Sequence, residues 1–198
     1  MADTLALDAG VLDGDLDGTD LAADLGDLAT DPDAGPGVAF LLAGSSEHVG
    51  ANCADSSKQH DLIVAPFALP GPEVSVTRNS GSAVWCSQPF EVGTTLSAGT
   101  TLVRLYASKT QGTGSTCRVT LKLLKNGTKL LGTGSFVLCC DDPLARRAIV
   151  FSSEGATFEV GDQLNLQLTW EPVKSCNDVR VRFADPDVPS SLHLPPMN

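Results

Sequence analysis

The chain has 198 residues, of which 42% are hydrophobic and 5% aromatic, and its formal net charge is −11. This length and apolar content suit one domain with a packed core plus an appendage. The acidic balance argues against nucleic-acid binding, which needs a basic surface that releases counterions from phosphates. No apolar run approaches the ~20 residues of a spanning helix, so we expect no membrane span.

The negative charge is concentrated at the N-terminus. Residues 1–35 contain ten Asp and no Glu, Lys or Arg, whereas the remaining chain has fourteen acids and thirteen bases. This composition predicts an extended, solvated acidic arm. Leu21, Leu25 and Leu28 would share one face of a short helix within it.

Within the arm, residues 13–24 have the spacing of an EF-hand calcium loop. Such a loop takes oxygen ligands at positions 1, 3, 5, 7 and 12 and needs Gly at position 6. The residues at these positions are Asp13, Asp15, Asp17, Thr19 through its carbonyl, and Asp24, with Gly18 at the turn. The segment resembles half of a dockerin repeat, which implies bound calcium. Asp20 stands where an apolar residue is usual and no second loop follows, so a chance match in an acidic tract is the alternative.

Short apolar runs separated by turns begin after the arm. Residues 38–42 and 62–67 are the first two runs, and residues 73–78 alternate like a strand. Gly and Pro cluster between such runs, as in folds built from many short strands. We predict an extended linker over residues 36–60 and a folded domain over residues 61–198.

The alternation of apolar and polar residues is strongest from residue 82 onwards. It buries one face of each predicted strand, and the expected inward residues are Val119, Leu121, Leu123, Leu164, Leu166, Leu168, Val179, Val181 and Phe183. Asn126-Gly127 is a favoured hairpin turn, and Gly161-Asp162 marks another turn. Together these features predict an all-β fold, an antiparallel β-sandwich of the jelly-roll type, with the acidic N-terminal arm attached.

The cysteines bear on the environment of the protein. They are Cys53, Cys86, Cys117, Cys139, Cys140 and Cys176. No C-x-x-C pair occurs, and no His is spaced from a Cys as a zinc ligand would be. We therefore expect disulfides and an extracellular or virion-surface location, with buried free thiols as the alternative. The sequence leaves the pairing open.

No catalytic constellation stands out, and we predict that the chain is not an enzyme. A G-x-S-x-G elbow is absent, and His48, His60 and His193 fall in predicted loops or near a terminus. Trp85 and Trp170 have the chemistry of a sugar-stacking platform. We favour core packing or a place at the sheet rim over this platform, and for Trp170 the inward parity of Leu168 supports core packing.

One family pattern covers residues 84–195. It consists of Trp85 followed by Gln88-Pro89, then TTLSAGTTLVRLYAS, CRVTLKLL, FEVGDQLNLQLTW and VRVRFADPDVPSSLHLP. This stretch resembles the jelly-roll β-sandwich domain appended to secreted enzymes, best known as the C-terminal domain of Xaa-Pro dipeptidyl-peptidases. The resemblance implies a sandwich fold and an accessory role, and it brings no catalytic residues.

The first functional prediction rests on the acidic arm. An arm that cannot bury enough apolar surface to order itself suits burial on a neighbouring subunit, against bases such as Arg146, Arg147, Arg180 or Arg182. We therefore predict a homo-oligomer, or one subunit of a larger extracellular assembly: a virion decoration or capsid-surface protein, or a filament subunit. The alternatives are a carbohydrate- or surface-binding module of a secreted system and a hydrolase accessory domain.

Overall fold

The computed structural model describes residues 37–43, 59–64, 73–77, 82–110, 116–138, 143–171, 178–182 and 190–198. These residues form thirteen strands and no helix. The strands are β1 (Ala39–Ala43), β2 (Gln59–Val64), β3 (Glu73–Thr77), β4 (Ser82–Cys86), β5 (Thr94–Leu96), β6 (Gly99–Thr110), β7 (Cys117–Lys125), β8 (Lys129–Leu138), β9 (Ala145–Ser153), β10 (Ala156–Phe158), β11 (Leu164–Glu171), β12 (Asp178–Arg182) and β13 (Ser191–His193). The all-β prediction is confirmed.

Eleven of these strands form one curled sheet in the order β13-β1-β2-β4-β11-β7-β8-β9-β6-β12-β3. Because β13 also pairs with β6, the first nine strands of this order form a closed circuit. The described pairings are antiparallel except for β2 with β4, which is parallel. β5 and β10 form a separate two-stranded sheet.

The long strand β6 organises one side of the circuit. One of its edges pairs with β9 over residues 99–107. Its other edge is divided, with β13 beside residues 102–104 and β12 beside residues 106–110. At the junction, the backbone N–H of Tyr106 donates to Ser190 Oγ at 3.1 Å.

The residues predicted to point inward from the alternation form much of the hydrophobic core. The fully buried leucines and valines include Val119, Leu121, Leu123, Leu164, Leu166, Leu168, Val179 and Val181. Phe183 lies outside the described residues. Burial of each such side chain contributes roughly 1.5–3 kcal/mol. Phe40 and Leu42 of β1 are also in the core, so the segment predicted as an extended linker contains a core strand.

The predicted hairpin turn between β7 and β8 is confirmed. Asn126 and Gly127 have φ angles of 52° and 68°, and Thr128 N–H donates to Lys125 O at 3.2 Å. Positive φ at both central residues is the requirement of a type I′ turn, which Asn-Gly satisfies at low cost.

Gly132 and Gly134 allow β9 to cross closely over β8. The two strands pair only between Gly132 and Ser153 among the residues described. A Cβ atom on Gly134 would lie 2.6 Å from Phe151 Cδ1 and 2.8 Å from Ile149 Cγ2. The Phe151 ring therefore occupies the space that a side chain would fill.

Candidate interaction surface

The predicted calcium ligands, Asp13, Asp15, Asp17, Thr19 and Asp24, lie outside the described residues, as does the whole of the arm. Within the part of the chain that the structure describes, no group of three or more His, Cys, Asp or Glu could hold a metal ion. Calcium binding stays a prediction. No helix in the described part is long and apolar enough to cross a membrane.

The two tryptophans do not form a sugar-binding platform. Trp85 is fully buried and Trp170 is 5% exposed. Both share the inward face of their strands, Trp85 with Ala83 and Trp170 with Leu168. The stacking hypothesis is therefore wrong for this pair, and both rings are core residues.

Cys86 and Cys117 are both buried. Cys86 is opposite Asn165 at the start of β11, whereas Cys117 lies beyond Arg118, which is opposite Glu171 at its end. About six residues of strand, or roughly 20 Å, separate these positions, so the two cysteines do not bond to each other. The other four cysteines lie outside the described residues, so disulfide bonding stays a prediction and its pairing stays open.

A serine and a histidine meet on β13. Ser191 Oγ lies 3.0 Å from His193 Nε2, and both side chains are buried. His193, predicted in a loop or near a terminus, lies near the C-terminal end of the sequence in a strand that pairs with β1 and β6. Burial, and then the positive charges of Arg104 and Arg146, lower the pKa of His193 to about 4.

Ser191 and His193 are the residue types of a nucleophile and its general base, but their surroundings do not suit catalysis. A general base is most effective when its pKa lies near the operating pH, and that of His193 is far below neutrality. Ser191 is 1% exposed, so a substrate could not reach its hydroxyl without rearrangement. The geometry therefore supports a structural hydrogen bond rather than hydrolysis.

A second polar cluster joins the β7–β8 turn to the turn before β11. Lys125 Nζ lies 2.6 Å from Asp162 Oδ2 and donates to Thr157 O at 2.8 Å. Asn126 Nδ2 donates to Asp162 Oδ1 at 2.6 Å. The hydrogen bonds from Lys125, Asn126 and the Glu159 backbone, in that order, lower the pKa of Asp162 to about 2. These groups already have partners within the cluster, which suits a structural role.

The outer surface of β6, β9 and β12 carries a concentration of arginine. On β6, Thr101, Val103, Leu105 and Ala107 are buried, so the intervening residues lie on the outer face. Tyr106 is directly opposite Arg146 on β9 and Arg182 on β12. We call this surface the arginine face, and its members are Arg104, Tyr106, Arg146 and Arg180. It holds three of the chain's seven arginines, and Arg182 occupies the adjoining register position on β12.

The described acidic side chains lie elsewhere. They are Glu91, Glu154, Glu159 and Asp162, all in or beside the segments that flank β5 and β10. At the border of the arginine face, Glu73 of β3 is opposite Arg182 in the register. The arginine face therefore brings together arginine and tyrosine residues from strands that are distant in sequence. Sequence analysis named two of its arginines but could not bring them together.

Comparison with known proteins relates this fold to hydrolases. No family model matches the chain, and no curated protein is similar to it. A CocE/NonD family hydrolase from Staphylococcus aureus has 11% identity and a TM-score of 0.54, over 82% of this chain and 37% of that one. A second structure of a CocE/NonD family hydrolase from the same organism has 10% identity and a TM-score of 0.53, over 79% of this chain and 36% of that one. An aminopeptidase from a marine sediment Thaumarchaeota archaeon has 16% identity and a TM-score of 0.45, over 58% of this chain and 25% of that one.

These likenesses concern the fold. The chain spans little more than a third of the length of the CocE/NonD hydrolase, consistent with a resemblance to a β-sandwich domain of larger hydrolases. The prediction of a virion decoration protein, capsid-surface protein or filament subunit is wrong, because the structural neighbours are hydrolases. The acidic arm suggested assembly through its composition, whereas the arrangement of strands resembles part of a larger hydrolase.

Proposed function

We propose that this chain is a non-catalytic accessory domain of a hydrolase, acting by association with a catalytic domain or chain. The observation that carries the proposal is the correspondence of 82% of this chain with about a third of a CocE/NonD family hydrolase. The motif resemblance over residues 84–195 supports the same role. The buried Ser191–His193 pair supports assigning the chemistry to another domain.

The absence of catalysis is tested with the purified chain and chromogenic ester and aminoacyl-anilide substrates. We expect rates equal to those of the Ser191→Ala variant and of buffer. Hydrolysis that exceeds buffer and disappears in Ser191→Ala would overturn the proposal. Circular dichroism of the variant checks that the fold is retained.

The accessory role is tested by association. The immobilised full chain is exposed to the secreted proteins of its source organism, and the retained fraction is assayed for ester and amide hydrolysis. We expect a retained hydrolase whose kcat/KM changes when this chain is added back to the purified enzyme. A hydrolase activity that is neither retained nor altered contradicts the role.

An oxidising, extracellular location accords with this proposal. Disulfide bonding of Cys86 and Cys117 is part of the same proposal, since such bonds persist mainly outside reducing compartments. Carbohydrate binding has less support, because both tryptophans proposed for it are buried.

A further inference from the structure

We propose that Asn126 is a deamidation site that the folded chain protects, and that opening of the β7–β8 turn releases it to irreversible conversion into aspartate or isoaspartate. The juxtaposition that carries the proposal is the Gly127 N–H donating to Asn165 Oδ1 at 2.6 Å. Beside it, both polar atoms of the Asn126 side chain have partners. The inference goes beyond the hydrolase-accessory role and does not depend on it.

The reaction uses the Asn126 side chain and the backbone nitrogen of Gly127. This nitrogen loses its proton to the solvent and attacks Cγ of Asn126, which closes a succinimide ring. The bond from Cγ to Nδ2 breaks, and Nδ2 takes up a proton and leaves as ammonia. Water then opens the ring at either carbonyl, which gives aspartate or isoaspartate. Glycine after asparagine favours ring closure because no Cβ hinders the approach, and Asn126-Gly127 is the only such pair in the chain.

The attacking nitrogen is held by a buried acceptor. Asn165, whose Oδ1 accepts the Gly127 N–H, is 4% exposed. Its Nδ2 donates to Cys86 Sγ at 2.9 Å, which fixes which of its amide atoms faces the turn. Loss of the Gly127 proton would leave this buried oxygen without a donor and facing a negative charge. The hydrogen bond therefore disfavours the form of the nitrogen that attacks.

The amide under attack is held as well. Asn126 Nδ2 donates to Asp162 Oδ1 at 2.6 Å, and Asn126 Oδ1 accepts the backbone N–H of Gln163 at 2.7 Å. The backbone N–H of Asn126 also donates to Gln163 O at 2.9 Å. Rotation of the side chain toward the Gly127 nitrogen would break both side-chain bonds. Asn126 is thus exposed to water but restrained while the turn is closed.

Conversion would alter the polar cluster permanently. An aspartate at position 126 has no Nδ2 donor, and its carboxylate would lie beside Asp162 Oδ1, which now accepts from Asn126. Two carboxylates this close repel each other. Isoaspartate would also lengthen the backbone within the tight turn between Lys125 and Lys129. A turn that has opened and reacted therefore cannot re-form the same contacts.

The test compares deamidation of the folded full chain with that of the chain unfolded in urea, in the same mildly alkaline buffer. Peptide mapping by mass spectrometry, with isoaspartyl methyltransferase labelling, measures conversion at Asn126. We expect the folded chain to react at least about tenfold more slowly, because reaction requires local opening.

Asn165→Ala removes the acceptor of the Gly127 N–H. It should accelerate conversion in the folded chain by about tenfold, the change in open population that loss of one hydrogen bond produces, and leave the rate in urea unchanged. Gly134→Ala is the matched control, because the added Cβ would meet Phe151 and Ile149 and would destabilise β8 while retaining Asn165. We expect a smaller acceleration there.

A second measurement needs no substitution. Hydrogen exchange of the Gly127 amide in the parent protein reports opening of the turn, and mild concentrations of urea should raise exchange and deamidation in the same proportion. The proposal is overturned by equal rates in the folded and unfolded chain, or by exchange that rises without deamidation. Equal acceleration in Asn165→Ala and Gly134→Ala would overturn it too, since the route would then be global unfolding. Circular dichroism verifies that each variant is folded, and if Asn165→Ala is not, the exchange comparison decides.

Discussion

Lys125 Nζ and Asp162 Oδ2 lie 2.6 Å apart and join the end of β7 to the turn that precedes β11. The same lysine lies 5.6 Å from the centroid of the Phe158 ring, which itself contacts Phe90 at 4.9 Å. Two turns and a small aromatic cluster are thus connected through one ammonium group.

Replacement of Asp162 should lower the free energy of unfolding, and the loss should depend on pH. The pKa of Asp162 is lowered to about 2 from 3.8, so its contribution is present above pH 3.8 and is lost as pH falls through about 2. We expect Asp162→Asn to be less stable than the parent at pH 6, with a difference that shrinks in acid. Urea unfolding at both pH values measures it. Glu159→Gln is the control, and an equal effect there would contradict the prediction.

His193 should destabilise the fold as the solution becomes acidic. Its pKa in the folded chain is lowered to about 4 from 6.5, so the unfolded chain binds the extra proton between these values. Stability present above pH 6.5 is lost as pH falls toward 4, by on the order of 3 kcal/mol. The charges facing it among the described residues are Arg104 and Arg146.

Chemical denaturation at neutral pH and near pH 4.5 tests this prediction. His193→Gln should show a smaller acid-induced loss than the parent, since glutamine does not titrate. Identical pH dependence in the two proteins would show that other groups dominate. Carboxylates that titrate in the same range are common to both proteins and cancel in the comparison.

Addition of one methyl group to β8 should be poorly tolerated. In Gly134→Ala the new Cβ would lie 2.6 Å from Phe151 Cδ1, and overpacking of this kind costs typically about 1–3 kcal/mol. Gly93→Ala is a matched control, because its nearest neighbour would be Phe158 O at 3.9 Å. Thermal melts should show a clear fall in Tm for the first variant and little change for the second. Equal melts would contradict the close approach.

The cysteines should be largely oxidised. Cys86 and Cys117 lie too far apart to bond to each other, so disulfides at both of them would engage at least four of the six cysteines. Thiol titration of the denatured, unreduced chain should therefore find at most two free thiols. Reduction should cost roughly 2–4 kcal/mol per bridge, measurable as a fall in the unfolding midpoint. More than two thiols would remove the support for an oxidising environment.

Calcium binding by the arm is tested separately. Asp13, Asp15, Asp17, Thr19 and Asp24 should together bind one Ca²⁺. Calorimetric titration should detect binding that Asp15→Ala combined with Asp17→Ala abolishes, while the strand content by circular dichroism is unchanged. A flat titration of the parent protein at millimolar calcium contradicts the loop.

Strand parity was predictable because it is local. Leu164, Leu166 and Leu168 alternate with polar neighbours, and a two-residue period requires no knowledge of the partner strands. The burial of His193 was not predictable, because β13 has only three residues, too few to show a period. Its burial depends on pairing with β1 and β6.

The arginine face could not be predicted from the sequence for the same reason, because it depends on which strands are neighbours. Arg104, Arg146 and Arg180 become neighbours only through the registers of β6 with β9 and with β12. The order of strands in a sheet is a non-local property, so the sequence marked arginines without placing them. The burial of Trp85 likewise required the position of β4 beside β11.

The pairing of β13 with both β1 and β6 has a consequence for synthesis of the chain. Phe40 of β1 is synthesised before its partner Leu192, which follows on the order of ten seconds later at typical elongation rates. Until then the edge of β1 that receives β13 and the corresponding edge of β6 are both uncovered. The nascent domain therefore passes through a period in which two strand edges are available to other chains, and this is when protection by chaperones would have its largest effect on yield.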